Sequence, residues 1–408
     1  MLLLNGTLCD HSGTAQAHLR IQDGIITHIS PDLTPMQGEE VLDCSGKFIL
    51  PALIDIGIYP KNKSLNTNAL KNLARKCLSG GVGTILLYGD SHPQTNTESI
   101  IELINLINLH TPITTLSSIQ PFDEKGAIAN IASLKNLGAS AIHIHSQALE
   151  GQNLLTLTHY ANMLNIPFIS LPHDSALSQG VVDEGLLATR LGLPSIPAIA
   201  WEKEIIKMAG ISASTQTSML LTLTQGFEEV AFFNSKGAKV MTQTPIHHLI
   251  LDENLYEGYS TKAKMFPPLK SQEKRQTLQN ALKSGQIQCL TSLQNATYNS
   301  KKDEVFELAS CGVDVINHYF SLLYTHFVKT NLLTLPTLLT LTAKNQATLL
   351  HLKKGSLQVD FDADIIIADL DSSFTCQDVY SPYHGQKLFG KIESTLLKGQ
   401  LHQGHTHD

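Results

Sequence analysis

The chain has 408 residues, of which 42% are hydrophobic and 16% are charged, and its formal net charge is −7. This length and composition predict a globular protein with one large domain and a smaller one. The negative charge and the absence of Lys/Arg runs longer than two residues argue against a broad nucleic-acid surface, and no apolar run is long enough to span a membrane.

The cysteines and the N-terminus predict a cytosolic location. Six cysteines are scattered along the chain without a Cys-x-x-Cys pair, which favours reduced, buried thiols over disulfides or zinc knuckles. The opening run Met1–Asn5 is short and apolar and lacks a basic segment, so it predicts a β-strand and not a signal peptide.

The first 50 residues predict a small β-module. Asp23-Gly24 stands between two alternating runs and is a hairpin signal, because a type I′ turn requires positive φ. The predicted strands are Leu2–Leu4, Ala17–Gln22, Ile25–Ile29 and Phe48–Leu50.

From Pro51 onward, strand-like runs alternate with helical patterns at distances suited to βα units. Strands are predicted at Thr84–Tyr88, Thr114–Leu116, Ala141–His145, Phe168–Leu171, Lys239–Thr244 and Gln288–Ser292. Helices are predicted at Asn68–Leu78, Thr97–His110, Leu154–Leu164, Gly226–Lys236 and Gln272–Lys283. The pattern predicts an α/β fold with an eight-stranded parallel β/α (TIM-type) barrel over residues 51–352.

After a helical stretch, Val313–Leu352, the pattern returns to strands at Ser356–Val359, Ala363–Asp369 and Lys391–Lys398. We expect residues 1–50 and 353–408 to form one composite β-sandwich domain beside the barrel. In that arrangement Leu2–Leu4 and Ala17–Ile29 share a sheet with the last two of these strands.

A series of short motifs occurs along the chain in the order and spacing seen in bacterial dihydroorotases. They are Asp23–Ile26, Ser45–Pro51, Gly80–Thr84, Glu184–Gly185, Leu191–Pro194, Ile196–Pro197, Glu202, His247–Leu249, Pro267–Lys270, Asn345–Thr348, Gly355, Asp362–Asp364 and Gly390–Ile392. The chain therefore resembles dihydroorotases, members of the amidohydrolase superfamily, over nearly its whole length. The resemblance implies a cyclic-amide hydrolase fold and a role in pyrimidine biosynthesis.

The same resemblance implies that the metal ligands are missing. The family's first barrel strand reads Pro-Gly-Leu-Ile-Asp-x-His-x-His, and here Gly57 and Tyr59 stand at the two histidines. The later ligand positions fall on Leu171 and Leu220, and the general base falls on Leu293.

Three polar landmarks of the family also differ. The asparagine of the Met-Pro-Asn segment is replaced by Asp90, whose charge repels an anionic substrate. The Asp-Asp-Gly segment reads Ile144-His145-Ser146, and the asparagine before the Pro-Pro-Leu landmark is Phe266. Since ring opening of dihydroorotate needs a metal-activated hydroxide and a carboxylate, the resemblance implies a pseudoenzyme without catalytic residues or bound zinc.

Several groups remain that favour a different interpretation. His143 and His145 alternate along a predicted strand, so both imidazoles share one face and recreate a His-x-His pair. A vestigial pocket is predicted from Asp55, Asp90, His143, His145, His173 and His248. The favoured interpretation is that these histidines bond to backbone and water, and that Asp55 is structural.

Three functions stay open. The first is a non-catalytic, oligomeric structural partner of aspartate carbamoyltransferase, as the resemblance to pseudo-dihydroorotases implies. The second is an active cyclic-amide hydrolase with zinc relocated to His143 and His145 or with a metal-independent mechanism. The third is a small-molecule sensor that binds its ligand in the cavity of the family's former active site. The C-terminal residues His402, His405 and His407 are a further candidate for adventitious metal binding.

Overall fold

In the computed structural model, which describes residues 1–123, 125–145 and 152–403, strands from both chain ends form two sheets. The first has the order Ile25–Ser30 (β5), His18–Gln22 (β4), Leu2–Leu4 (β1), Val41–Asp43 (β6). The second has the order Gln400–Gln403 (β20), Lys387–Leu397 (β19), Ile365–Thr375 (β18), Phe48–Pro51 (β7), Thr7–Asp10 (β2), Gly13–Gln16 (β3).

The two sheets enclose a separate hydrophobic core. Leu3 and Leu19 from the first sheet pack in one cluster with Ile49, Ile365 and Leu396 from the second, and all five side chains are fully buried. The alternating pattern at the chain ends is therefore explained by one apolar face on each sheet. The predicted domain boundaries at residues 50 and 353 stay a prediction.

Two details of the predicted β-sandwich are wrong. Strands β1, β4 and β5 do not share a sheet with β18 and β19, because β18 pairs with β7. The isolated bridge Ile25–Asp362 joins β5 to the segment that precedes β18. Ser356–Val359 is not a strand: the backbone N–H of Leu357 donates to the Asp10 carboxylate at 3.0 Å instead of to a neighbouring strand.

The predicted eight-stranded parallel barrel is confirmed. Its strands neighbour each other in chain order: Leu53–Ile58 (β8), Val82–Leu87 (β9), Thr114–Ile119 (β10), Ala141–His143 (β11), Phe168–Ser170 (β12), Ser218–Thr222 (β15), Lys239–Pro245 (β16) and Cys289–Thr291 (β17). A two-stranded sheet, Val182–Asp183 (β13) and Ser195–Ile196 (β14), is inserted before β15. The strand β15 has no counterpart among the predicted strands, and β11 ends at His143, two residues earlier than predicted.

Helices surround the barrel and cover its strands. They are Thr67–Ser79 (α1), Glu98–Asn108 (α2), Ile131–Asn136 (α3), Gln152–Leu164 (α4), Leu186–Leu191 (α5), Ile199–Thr215 (α6), Phe227–Ser235 (α7), Ile246–Ile250 (α8), Gln272–Lys283 (α9), Tyr319–Leu323 (α10), Leu335–Leu339 (α11) and Asn345–Leu349 (α12). Helix α1 shows why they form: the Asn66 side chain caps its N-terminus, and Leu70, Leu73 and Cys77 bury one face at helical spacing.

The stretch Val313–Leu352 is not one helix. It contains a 3₁₀ turn at Ile316–His318, which precedes α10, and π-helical turns at Tyr324–Val328 and Thr340–Lys344, which directly follow α10 and α11. Within the part of the chain that the structure describes, none of the helices has both the length and the hydropathy needed to cross a membrane.

Candidate functional site

A cavity of about 560 Å³ opens at the carboxyl end of the barrel strands. This is the end at which β/α barrels carry their functional side chains. Its lining includes six aromatic or imidazole side chains, namely Tyr59, Tyr88, His143, His145, His173 and Phe266. The cavity is therefore the place to test each predicted site residue.

Gly57 and Tyr88 share the space at the end of the first strand. Gly57 has φ +78°, and the pairing of β8 with β9 shifts register between Ile56 and Ile58. A Cβ atom at position 57 would lie 2.6 Å from both Cζ and the hydroxyl oxygen of Tyr88. The Tyr88 ring thus fills the place where the resemblance puts a metal-binding histidine.

Tyr59, at the second of these positions, contacts a cation of the protein itself. The Lys63 ammonium lies 4.0 Å from the centre of the Tyr59 ring and 2.9 Å from Oδ2 of Asp90. Burial and the neighbouring Asp90 carboxylate raise the pKa of the Tyr59 hydroxyl well above its usual range. Tyr59 is therefore a neutral phenol, which is a poor ligand for zinc.

His143 and His145 line the cavity, and Asp90, which is not one of its lining residues, lies within reach of both. One donor atom from each lies within 4.8 Å of the donor atoms of the other two. Asp90 Oδ1 is 3.6 Å from His143 Nδ1, and Asp90 Oδ2 is 3.6 Å from His145 Nε2. The two imidazole rings are 4.6 Å apart, which confirms that both face the same side although β11 ends at His143.

Charge and burial set the ionisation of this cluster. Burial lowers the pKa of His143 to about 3, so His143 is neutral, and its Nδ1 accepts the backbone N–H of Gly89 at 3.2 Å. Burial alone would raise the pKa of Asp90, but His145, His143 and Lys63 together hold it well below its usual range. The cluster therefore contains one carboxylate paired with the Lys63 ammonium.

The leucines at the remaining family positions offer no donor atoms. Leu171 and Leu293 line the cavity, whereas Leu220 lies in the apolar core inside the barrel. His173 also lines the cavity, and its ring packs 4.8 Å from that of Phe266. At the positions that the resemblance assigns to metal ligands, the residues present therefore do not fit a zinc ion.

Asp55 and His248, which were predicted to belong to the pocket, are not among the residues that line the cavity. Asp55 points away from the barrel interior, because it alternates with Ile54 and Ile56, which face inward. It accepts hydrogen bonds from the Thr291 hydroxyl at 2.6 Å and from the backbone N–H of Ser292 at 3.2 Å. The Asp55 carboxylate therefore bridges the first and last strands of the barrel.

His248 lies on α8 and is fully buried away from the cavity. Its Nε2 is 3.1 Å from the carbonyl oxygen of Pro267 and 3.2 Å from that of Pro268. His402 lies on β20, while His405, His407 and Ser146 lie outside the described residues.

Sequence reasoning missed two residues of the site. Tyr88 directly follows β9, so its position at the carboxyl end of a barrel strand was a usable signal. Lys63 lies in a 3₁₀ turn, Lys61–Lys63, for which nothing in the sequence indicates where the ammonium points.

Known proteins resemble the chain over its whole length, although no family model matches it. A probable dihydroorotase-like protein of Helicobacter pylori (strain ATCC 700392 / 26695) is 30% identical over 404 residues, covering 98% of this chain and 97% of that protein. A dihydroorotase of Thermoanaerobacter sp. (strain X514) is 26% identical, covering 98% and 96%. A crystal structure of D-hydantoinase is similar with a TM-score of 0.83 at 21% identity, covering 98% and 94%, and shows the same fold.

Proposed function

The chain belongs to the dihydroorotase-like family of the amidohydrolase superfamily, and from that premise we propose that it is a non-catalytic member. In this proposal it is a cytosolic structural partner of aspartate carbamoyltransferase in pyrimidine biosynthesis and does not hydrolyse dihydroorotate.

The packing of Tyr88 against Gly57 is the observation that carries the proposal. A missing ligand is easily regained by one substitution if its space stays open, but here the ring of a second residue fills that space. Gly57 also adopts a left-handed conformation that other residues rarely adopt. Both features support a chain that has repacked its former metal site.

The proposal is also supported by the positions of the acids. Hydrolysis at neutral pH requires a carboxylate or another base close to the reacting bond. Asp55 is buried in bonds to Thr291 and Ser292, and Asp90 is paired with Lys63. Among the described residues that line the cavity there is no aspartate or glutamate.

The proposed partner comes from the resemblance to pseudo-dihydroorotases. Charged residues make up only 16% of the chain, which suits burial of polar surface in a wet, stable interface. We expect the chain to be at least a dimer, because symmetric homo-oligomers are the commonest soluble assemblies.

A second candidate is a metal-dependent cyclic-amide hydrolase that uses Asp90, His143 and His145. The proximity of these three donors favours it. Against it, Asp90 is the only acid in the cluster, so its use as a ligand leaves no carboxylate there to move a proton.

Co-expression with the aspartate carbamoyltransferase of the same organism tests the proposal. We expect the two proteins to co-purify as one particle, with a mass by light scattering that accounts for both chains, and transcarbamoylase activity to depend on this chain. Separate elution at micromolar concentration, with full transferase activity alone, would contradict the partnership.

Dihydroorotate hydrolysis, followed in both directions with and without added Zn²⁺, separates the two candidates. The proposal expects background rates in every sample. Zinc-dependent turnover that is lost on His145→Ala supports the hydrolase instead.

A further inference from the structure

We propose that Asp90, His143 and His145 form a cation site whose resident cation is the Lys63 ammonium, and that a divalent transition metal takes this site when the ammonium is removed. This inference does not depend on the proposed partnership. It concerns one carboxylate, two imidazoles and the turn that carries Lys63.

The donors have the composition of a metal site. Two imidazole nitrogens and one carboxylate oxygen are ligands that suit Zn²⁺ and Co²⁺. Because the three donors do not complete the coordination of such an ion, further positions remain for water or another ligand. The three donor atoms lie within 4.8 Å of one another, so small side-chain movements bring them to one ion. Asp90 follows β9, while His143 and His145 are at and just beyond the end of β11.

The Lys63 ammonium supplies the positive charge next to Asp90 that such an ion would supply. Its Nζ is 2.9 Å from Asp90 Oδ2 and lies over the ring of Tyr59 at 4.0 Å. A cation over an aromatic face is attracted by the ring quadrupole, so Tyr59 and Asp90 hold the ammonium from two sides. The Asp90 side chain is 14% exposed and that of Lys63 is 35% exposed, so water screens this pair only partly.

The backbone holds Lys63 in place. Its φ is +56°, a conformation that a non-glycine residue rarely adopts. The Lys63 N–H donates to the carbonyl of Pro60 at 2.9 Å, and the Lys63 carbonyl accepts the N–H of His92 at 2.7 Å. This conformation is retained because the turn is bonded on both sides, and it points the ammonium at the cluster.

The native chain is therefore a weak metal binder. An entering ion must displace the ammonium from Asp90, and it must compete with the Gly89 N–H for Nδ1 of His143. Removing the positive charge at position 63 eliminates the first of these costs and leaves Asp90 available for a metal ion.

The experiment compares Lys63→Met with the parent chain, both carrying His405→Ala and His407→Ala so that tail imidazoles do not bind metal. Zn²⁺ is titrated by calorimetry, and Co²⁺ is followed by its visible absorption, which reports coordination by nitrogen and oxygen ligands. We expect one equivalent to bind the Lys63→Met chain roughly tenfold more tightly than the parent, or better, because the ion no longer competes with an ammonium.

Three variants serve as controls. Lys61→Met removes a neighbouring lysine whose Nζ lies 5.1 Å from the Tyr298 ring, and it should give no gain in affinity. Lys63→Arg keeps the charge and should give none either. Adding His145→Ala to Lys63→Met should abolish the gain and the cobalt spectrum.

The proposal is overturned if folded Lys63→Met takes up no metal, if Lys61→Met gains as much affinity, or if the binding survives His145→Ala. Circular dichroism establishes that each variant is folded. Lys63→Gln provides a second neutral side chain, and the same gain in affinity is required of it.

Discussion

Gly57 shows at the scale of single residues how the backbone and a neighbouring ring together close a position to any side chain. Its positive φ and the Tyr88 ring at 2.6 Å from the position of a Cβ atom are two separate obstacles to any side chain. Gly46 offers a matched comparison, because its φ is +72° and nothing lies within 4 Å of its Cβ position.

We expect Gly57→Ala to lower the free energy of unfolding by about 2–4 kcal/mol, and Gly46→Ala to lower it by only about 1 kcal/mol. The difference measures the contact with Tyr88, since both alanines incur the cost of positive φ. Urea unfolding at pH 7 provides both values. Equal losses in the two variants would mean that the Tyr88 ring moves aside freely, which contradicts the repacked site.

At the scale of elements, the junction between the first and last barrel strands depends on a side chain. The paired strands run from β8 to β17 in chain order, and between the two ends the backbone contributes a bond from the Tyr59 N–H to the Gln294 carbonyl at 2.9 Å. Asp55 adds bonds to Thr291 and Ser292 just before that point. Burial raises the pKa of the Asp55 carboxyl to about 6, even though these bonds favour the charged form.

This raised pKa gives Asp55 a measurable signature. An unfolded aspartate has a pKa of about 3.9, so between about pH 4 and 6 the folded chain binds a proton that the unfolded chain does not. The resulting stabilisation is fully present below about pH 4 and is lost as the pH rises through about 6. Because Asp55→Asn cannot titrate, its stability relative to the parent should rise by up to about 1.4 kcal/mol per pH unit in that window.

Urea unfolding of parent and Asp55→Asn at several pH values from 4 to 7 tests this, and the comparison cancels groups common to both chains. Asp32, which is exposed, is changed to Asn as the control for removal of a surface carboxylate. A difference between Asp55→Asn and the parent that stays constant over this pH range would contradict the raised pKa of the Asp55 carboxyl.

At the scale of the whole molecule, the positions that the resemblance assigns to the metal ligands and the general base lie on or after strands far apart in the chain. Gly57 is the penultimate residue of the first barrel strand, Leu171 follows the fifth and Leu293 follows the eighth. Introducing histidines on the first strand alone therefore leaves the other positions without donor atoms. A side chain at position 57 would also clash with the Tyr88 ring.

We predict that Gly57→His with Tyr59→His does not restore dihydroorotate hydrolysis above background, even with added Zn²⁺. Adding Tyr88→Ala should relieve the steric conflict, seen as a recovery of stability, and still leave hydrolysis at background. The same assay with an intact dihydroorotase is the positive control. Turnover by either variant would show that the leucines are not the obstacle.

The sequence by itself determined the barrel, the sheets from the chain ends and the family. The strands and helices were predictable because each one must bury apolar residues, which leaves a periodic pattern in its own sequence. The family was predictable because the short motifs occur in a characteristic order along the chain. The shared side of His143 and His145 was also predictable, since residues two apart along an extended chain point the same way.

Only the tertiary structure decided which groups meet. Asp90 reaches His143 and His145 across the intervening strand β10, Lys63 reaches Asp90 from a 3₁₀ turn, and Asp55 turns away from the cavity that it was expected to line. The pairing of β18 with β7, and not with β1, β4 or β5, is likewise a contact between segments far apart in the chain. These contacts depend on the packing of distant segments, and a pattern read along one segment contains no information about the residue that will face it.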